Sequence, residues 1–314
     1  MEAPVHVPVL TDALLDCLRL ERGGRCIDAT IDGGGHTAAI LERIAPSGEV
    51  LGIDRDPELL TAVRRRLAEA VEAGRLHLAS GNFRELTRIA ATRHFTAVQA
   101  IVLDLGLSSF HLDTSGRGFS FMRDEPLDMR FDSDSSDPTA ADLLNTHTHE
   151  ELTAIFRDFG EERFAGRIAG AVVGLRARPP IHTPAQLYAL IAAPLPARLR
   201  WRAARSAARI FQALRIAVND ELEAIAEVLP QALSLLAPGG RLAVIAFHSL
   251  EDRIVKQFFV AQRQAGRVRI LTKKPVRAGD AEIAANPRAA SAKLRVCELL
   301  EVPSASAIAV GRAR

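Results

Sequence analysis

The sequence predicts an α/β fold with a seven-stranded, mostly parallel sheet and an inserted helical domain. Three observations indicate this fold. In the first part of the chain, short apolar runs alternate with helical patterns, as in parallel sheets with right-handed crossovers. After Gly106 the alternation stops, and the next segment shows helical patterns without a strand. Apolar strand patterns return after the turn Ala237-Pro238-Gly239-Gly240, so we expect one sheet interrupted by an insertion.

The predicted elements follow from these runs. Strands are expected before and after the insertion at 25–30, 49–54, 75–79, 100–104, 241–247, 268–272 and 293–299. Helical patterns occur at 57–71, 140–144, 150–159, 162–176, 184–193 and, as one long amphipathic helix, 212–236. We therefore predict a sheet domain in two parts, 1–114 and 212–314, around a helical domain at 115–211.

The composition excludes several classes of protein. With 314 residues and a net charge of +2, the chain is long enough to bury a large core and is not a polycation. Cys17, Cys26 and Cys297 form no C-x-x-C pair, which argues against a zinc site and a disulfide framework. The acidic group from Asp124 to Asp137 fits no calcium-binding loop, so no metal site is predicted. Because the chain shows no signal-peptide pattern and no apolar run of about 18 residues, we expect a cytoplasmic protein outside the membrane.

The most informative segment is the glycine-rich turn after the first predicted strand. Gly33-Gly34-Gly35 precedes a helical pattern, and the next strand ends at Asp54. Glycines let a backbone approach a ligand where a Cβ would clash. An acid at the tip of the second strand can accept hydrogen bonds from both hydroxyls of a ribose. The pattern predicts a nucleoside pocket.

The nature of the nucleoside follows from the residues beside this turn. Gly33-x-Gly35-x-x-Ala38 satisfies the dinucleotide fingerprint, which keeps an NAD-linked oxidoreductase as an alternative. However, carboxylates at Asp28 and Asp32 would repel a diphosphate and suit a cofactor with an ammonium or sulfonium group. S-adenosylmethionine therefore fits better than NAD. Seven strands also fit a class I, Rossmann-like methyltransferase better than a six-stranded dinucleotide fold.

Two basic segments contain no acidic residue. They are 198–218, with Arg198, Arg200, Arg202, Arg205, Arg209 and Arg215, and 253–279. In a chain of balanced charge, such segments favour phosphate binding. We predict that Arg200, Arg202 and Arg205 contact RNA phosphates and that Arg215 lies nearest the active site.

Ordered motif blocks cover nearly the whole chain. They lie at 6–10 (HVPVL), 33–36 (GGGH), 52–57 (GIDRDP), 103–109 (LDLGLSS), 117–123 (RGFSFMR), 126–130 (PLDMR), 160–165 (GEERFA), 211–216 (FQALRI), 237–242 (APGGRL), 247–256 (FHSLEDRIVK) and 286–288 (NPR). Together these blocks resemble the bacterial ribosomal RNA small-subunit methyltransferase H family, also called MraW. The resemblance implies S-adenosylmethionine-dependent N4-methylation of a cytidine in 16S rRNA, near the decoding centre of the small subunit. A non-catalytic RNA-binding ribosome-assembly factor is the alternative from another class.

The resemblance also implies a set of cofactor contacts. By position in the family motifs, these are Gly34, Gly35 and His36 in the turn, Asp54 at the ribose, Phe83 beside the adenine, and Asp104 and His111 around the fourth strand. The chain departs from the family pattern at His111, where Gln is usual, at Ala290, where a basic residue is common, and at 30–32, where Thr-Phe-Gly is frequent.

The chemistry of amino-group methylation selects further candidates. A group that accepts hydrogen bonds from the amino protons would favour attack by the poorly nucleophilic cytosine N4, and Asp104 is the candidate to orient the amino group, bind the cofactor, or do both. The helical domain is expected to recognise substrate, and Arg117, Phe119 and Phe121 are its candidate substrate contacts. Phe119 and Phe121 either hold the extruded base or anchor the insertion to the sheet. His248, at the end of a predicted strand, is a candidate substrate contact, and Ser249 is expected to cap the following helix with Asp252.

Overall fold

A computed structural model describes residues 8–177 and 179–301, with the backbone only at 109, 197, 199 and 200. Its seven strands are β1 Arg25–Asp28, β2 Glu49–Asp54, β3 Leu76–Ser80, β4 Val98–Asp104, β5 Leu236–Ala246, β6 Val268–Ile270 and β7 Lys293–Leu299. They form one sheet in the order β3-β2-β1-β4-β5-β7-β6. Only β7 runs antiparallel to its neighbours, β5 and β6. This arrangement confirms the fold class predicted from the sequence.

Contacts between residues divide the described chain into two compact units. The helical unit comprises Leu107–Glu223, and the sheet unit comprises the described residues on either side of it. Helices of the sheet unit are α1 Thr11–Leu18, α2 Gly35–Arg43, α3 Pro57–Arg66, α4 Ala68–Glu72, α5 Leu86–Thr92, α12 Glu221–Leu235, which starts within the helical unit, α13 Ser249–Gln264 and α14 Asp280–Ala285. The helical unit contains α6 Ser109–Asp113, α7 Ala140–Thr146, α8 His149–Asp158, α9 Ala165–Leu175, α10 Pro184–Ala192 and α11 Ala203–Asn219. Short 3-10 helices occur at Phe83–Glu85, Ala197–Arg202 and Pro287–Ser291.

Each unit has its own apolar core. In the sheet unit the central strands are buried on both faces, and Cys26, Val102 and Ile245 are fully inaccessible. Burial raises the pKa of the Cys26 thiol to about 12, so it is an inert core group. In the helical unit, Phe156 and Ile210 belong to the core and are likewise fully inaccessible. Buried faces explain why apolar runs identified the strands.

Three helices of the helical unit begin at threonine capping boxes. The side-chain oxygens of Thr139, Thr148 and Thr183 each accept a hydrogen bond from the backbone N–H three residues ahead, and each threonine donates its own backbone N–H to the Asp, Glu or Gln side chain of that residue. Such a cap contributes about 1 kcal/mol to helix stability. Local sequence therefore defines where these helices start.

Two predicted elements differ from the structure. The single helix expected at 212–236 is two helices, because Asp220 adopts a left-handed conformation with φ 52° and ends α11. The expected turn at 237–240 lies inside β5, where it bulges out between the pairs Val98–Leu236 and Ala100–Arg241. Among the helices that the structure describes, none has the length and hydropathy required to cross a bilayer.

Candidate cofactor-binding and active site

The sheet order places a crevice at the carboxyl ends of β1 and β4. From β1 the chain proceeds outward through β2 and β3, and it then returns to the other side of β1 as β4. Ligands of open α/β sheets bind at such a switch point. The segments that follow β1 and end β4 contain the predicted residues His36 and Asp104.

The glycine turn is required by packing as well as by any ligand. Gly34 adopts φ 74°, in the left-handed region, as the residue preceding α2. A Cβ on Gly35 would lie 2.7 Å from the side chain of Pro8. The backbone that opens α2 therefore sits closer to its neighbour than a side chain would permit.

Asp28 ends β1 as a buried carboxylate that is 1% exposed. Its Oδ2 accepts a hydrogen bond from the Thr37 hydroxyl at 2.6 Å, which ties the strand to the first turn of α2. Burial raises the pKa of Asp28, and the Thr37 hydrogen bond and the nearby His36 offset this effect only in part. Asp28 thus holds the first turn of α2, although burial disfavours the charged form of its carboxyl group.

His36 and Asp104 approach each other in this crevice. The Nε2 atom of His36 lies 3.3 Å from Oδ2 of Asp104, and the two side chains are 5% and 11% exposed. The approach is an ion-pair contact and not a well-aligned hydrogen bond, since both ring nitrogens and Asp104 Oδ1 are buried without a hydrogen-bond partner in the described chain. Buried polar atoms normally have partners, so these atoms have hydrogen-bonding capacity that the described chain does not use.

Opposing effects set the protonation of His36. Burial alone would lower the pKa of His36, but the contact with Asp104 and the charges of Asp28 and Asp32 outweigh it and raise the pKa. A raised pKa shifts His36 toward the imidazolium form. The acidic groups that raise it are Asp104, Asp28 and Asp32, so acidic residues outnumber basic ones beside this turn.

Thr30 holds the end of β4 in place. Its hydroxyl oxygen accepts a hydrogen bond from the backbone N–H of Asp104 at 2.6 Å. This bond joins the turn after β1 to the last residue of β4. The backbone of Asp104 is therefore fixed by a side chain from the turn that follows β1.

Asp54 lies at the tip of β2, as predicted. Its Oδ2 accepts the backbone N–H of Asp32 at 3.0 Å, and its Oδ1 accepts that of Asp56 at 2.9 Å. Two backbone bonds thus orient the carboxylate at the tip of the strand. Its predicted contact with a ribose stays a prediction.

Phe83 and His111 lie in different units. Phe83 is half-buried in the 3-10 helix that follows β3, on the sheet unit. His111 is buried in the helical unit, where Ser108 Oγ lies 3.0 Å from its Nδ1. The rings of Phe119 and Phe131 pack edge-on against it, with centroids at 5.2 and 5.0 Å. The cofactor contacts predicted for Phe83 and His111 stay predictions.

The predicted substrate residues of the RGFSF block have partners inside the helical unit. Arg117 is buried and donates to the carbonyls of Arg130 and Phe131. Phe119 is 5% exposed, and Phe121 stacks on Tyr188 with centroids 5.8 Å apart. These contacts place the block in the interior of the helical unit, and its predicted substrate contacts stay predictions.

The arginines of 198–218 divide into two kinds. Arg202 and Arg205 are exposed, while the side chain of Arg200 lies outside the described part of the chain. Arg215 is buried, and its Nε and Nη2 donate to the two carboxylate oxygens of Glu221 at 2.7 and 2.9 Å. The structure thus pairs Arg215 with a carboxylate, and its predicted place nearest the active site stays a prediction.

The cap of α13 is shifted from its predicted position. His248, not Ser249, is the residue that precedes the helix, and its capping partner is Glu251, not Asp252. Glu251 is fully buried and accepts the backbone N–H groups of Phe247 and His248. The Nε2 atom of half-buried His248 lies 3.1 Å from Glu251 Oε1, and its predicted substrate contact stays a prediction.

Sequence reasoning used Asp28 only as a charge beside the turn, and it assigned no role to Thr30. Both are polar residues at the carboxyl end of a buried strand, where a polar side chain needs a partner. That pattern, Asp-x-Thr at the strand end, was the available signal. Their partners, Thr37 and the backbone of Asp104, emerge only from the fold.

The fold and this crevice define the class I, Rossmann-like methyltransferase architecture. The chain belongs to the MraW methylase family, whose model matches residues 3–300. A protein of Thermomicrobium roseum named ribosomal RNA small subunit methyltransferase H is 51% identical, and the match covers 93% of each chain. A protein of the same name from Syntrophotalea carbinolica is 47% identical, with 94% of this chain and 98% of that one covered. Among solved structures, an rRNA methylase from Streptococcus thermophilus is 12% identical and superimposes with a TM-score of 0.43 over 93% of this chain and 94% of that one.

Proposed function

We propose that the chain uses S-adenosylmethionine to methylate N4 of a cytidine in 16S rRNA, near the decoding centre of the small subunit, in the cytoplasm. The observation that carries the proposal is the contact between His36 and Asp104 at the switch point of the sheet. Membership of the MraW methylase family supports the reaction class. The name shared by the relatives supports the small-subunit RNA as substrate.

The residues of the crevice fit this cofactor. Asp104 Oδ1 is a buried acceptor without a partner in the described chain, and the surrounding carboxylates suit a cation. When bound, S-adenosylmethionine supplies a methyl group on a positively charged sulfur. Gly34, Gly35 and His36 line the turn beside which it would bind, Asp54 would accept from the ribose hydroxyls, and Phe83 would cover the adenine. The same carboxylates disfavour the pyrophosphate of NAD.

In this proposal the two carboxylate oxygens of Asp104 have different partners. Its Oδ2 contacts His36, which holds the carboxylate in one orientation. Its Oδ1 is then free to accept a hydrogen bond from the amino group of the target cytosine. Accepting that bond favours attack by a nitrogen whose lone pair is delocalised into the ring, provided that the reacting atoms lie about 3 to 3.5 Å apart and in line.

Methyl incorporation tests the proposal. The purified chain is incubated with methyl-labelled S-adenosylmethionine and small subunits from a strain that lacks the corresponding gene, and the RNA nucleosides are analysed by mass spectrometry. We expect label in N4-methylcytidine of 16S rRNA. Free 16S rRNA as a second substrate separates naked RNA from the assembled subunit. Binding of cofactor and RNA without any label would instead support the non-catalytic assembly factor, and label in another nucleoside would contradict the N4 assignment.

A further inference from the structure

Trp201 is an unusual surface residue. It is the only tryptophan of the chain, and it is 72% exposed in the 3-10 helix that precedes α11. Among described residues, only Met122 and Leu175 are also large, apolar and exposed. Single exposed apolar residues are common and need no explanation by themselves. The surroundings of Trp201 therefore decide whether its exposure has a function.

A guanidinium group already lies on the indole. The guanidinium carbon of Arg202 is 4.7 Å from the ring centroid, within the range of cation–π attraction. Arg202 is itself exposed. Because the indole keeps most of its surface accessible with this group in place, a second planar group can reach it.

The exposed face of α11 carries further positive charge. Along the helix, Ala204, Arg205, Ala208 and Arg209 are exposed, whereas Ala203, Ser206, Ala207 and Ile210 are buried. Arg205 makes no ion pair with the described residues, and Arg209 lies 3.7 Å from a carboxylate oxygen of Glu162. No acidic residue occurs between 198 and 219. The exposed residues in the first two turns of α11, which follows Trp201, are thus arginines and alanines.

We infer that Trp201, with Arg202 and Arg205, forms a stacking site for an unpaired nucleobase of single-stranded RNA. Unpaired bases stack on aromatic rings and on arginine planes. Nearby guanidinium groups can neutralise the flanking phosphates. A protein hot spot would instead surround its tryptophan with other desolvating side chains, and this face offers alanines. The choice of RNA over other polyanions rests on the proposed function.

Intrinsic fluorescence tests the stacking directly. Since Trp201 is the only tryptophan, every change in indole emission of the full chain reports this site. Titration with a short single-stranded RNA of mixed sequence should quench the emission and protect it from acrylamide. Inorganic polyphosphate of matched charge should bind without comparable quenching, because it has no bases. RNA binding detected by anisotropy without quenching, or quenching equal to that by polyphosphate, would overturn the inference.

Variants separate stacking from phosphate contacts. Trp201→Ala should weaken RNA binding by roughly five- to a hundred-fold with little change in the salt slope, and Trp201→Phe should retain much of the affinity. Arg205→Gln should reduce the slope of log affinity against log salt by about 0.7. Leu175→Ala is the matched control for loss of an exposed apolar side chain. Equal affinities for Trp201→Ala and Leu175→Ala would overturn the inference, as would quenching by an acidic peptide but not by RNA.

The inference and the proposed function fail in different ways. All of these measurements use RNA without cofactor and read binding, not methyl transfer. A chain that transfers no methyl group but shows base-dependent quenching would refute the proposed function and retain the stacking site. A chain that methylates RNA without such quenching would retain the proposed function and refute the stacking site.

Discussion

The two units bury charged groups in opposite ways. In the helical unit, Arg215 and Glu221 form a buried pair in which two nitrogens meet two oxygens. In the sheet unit, His36 and Asp104 are buried in contact, yet the ring nitrogens and Asp104 Oδ1 have no hydrogen-bond partner in the described chain. Arg215, His36 and Asp104 lie in motif blocks of the sequence, whereas Glu221 does not. The Arg215–Glu221 pair, in which the polar atoms have partners, is typical of a group that stabilises the fold. The His36–Asp104 pair, called the incomplete pair below, is typical of a site that binds a ligand.

The largest expected effect comes from breaking the Arg215–Glu221 pair. Arg215→Met leaves Glu221 as a buried charge without its cation, and we expect a loss of about 3 to 5 kcal/mol of unfolding free energy. The double variant Arg215→Met/Glu221→Leu should regain most of this loss. Urea unfolding measures both. If Arg215→Met keeps its stability and loses RNA affinity, Arg215 binds substrate as the sequence predicts, and the comparison between the units fails.

Removing charge from the incomplete pair should affect the reaction more than the fold. Asp104→Asn preserves shape but replaces one acceptor oxygen with a donor. We expect the single-turnover methylation rate to fall by about 10²- to 10³-fold, with a smaller loss of cofactor affinity. Rapid-quench methylation and calorimetry measure the two quantities. Equal losses in rate and affinity would make Asp104 a binding residue only.

Asp54 tests whether the crevice holds a ribose. Asp54→Ala removes the acceptor and should weaken S-adenosylmethionine binding by about 1.5 to 3 kcal/mol, the range for hydrogen bonds to a charged group. Calorimetry on the folded variant gives the value. Glu42→Ala, which removes an exposed acid of α2, is the charge-matched control. Unchanged affinity in Asp54→Ala would refute the ribose assignment.

The protonation of His36 offers a pH test. Its pKa is raised in the folded chain above the ordinary value of 6.5. The stabilisation from its charged form is therefore complete below pH 6.5 and is lost as the pH rises through the raised folded-state pKa. Asp28, whose pKa is also raised, acts in the same direction at lower pH. Unfolding free energy measured across this range should decline more steeply in the natural chain than in His36→Gln. Exposed His182 supplies the control variant His182→Gln, and parallel profiles for His36→Gln and the natural chain would contradict the assignment.

The sequence predicted the elements that are buried on both faces better than those that depend on distant partners. Predicted strands 49–54 and 293–299 match β2 and β7. In both segments most of the apolar residues, such as Leu51 and Val296, are fully buried. The break at Asp220 was missed because it depends on tertiary contacts, such as the Asn219 amide donating to the Met129 carbonyl.

The candidate site shows the same difference between what local sequence determines and what depends on distant partners. Motif resemblance selected His36 and Asp104 one by one, but their contact depends on the strand order that makes β1 and β4 neighbours. For Arg117 and Arg215, sequence could not separate a phosphate ligand from a buried structural cation. That distinction depends on the carbonyl and carboxylate partners that the fold supplies.

The smallest expected effect comes from the Thr30 hydroxyl, which links the turn after β1 to the end of β4. Thr30 accepts the backbone N–H of Asp104 at 2.6 Å, so Thr30→Val leaves that N–H without its partner while conserving side-chain shape. A lost hydrogen bond of this kind costs about 1 kcal/mol, and we expect a several-fold loss in single-turnover rate with little change in cofactor affinity. Thr30→Ser retains the hydroxyl and should restore the rate. If both variants lose stability equally and neither changes the ratio of rate to affinity, Thr30 is a packing residue, and the incomplete pair is positioned by His36 alone.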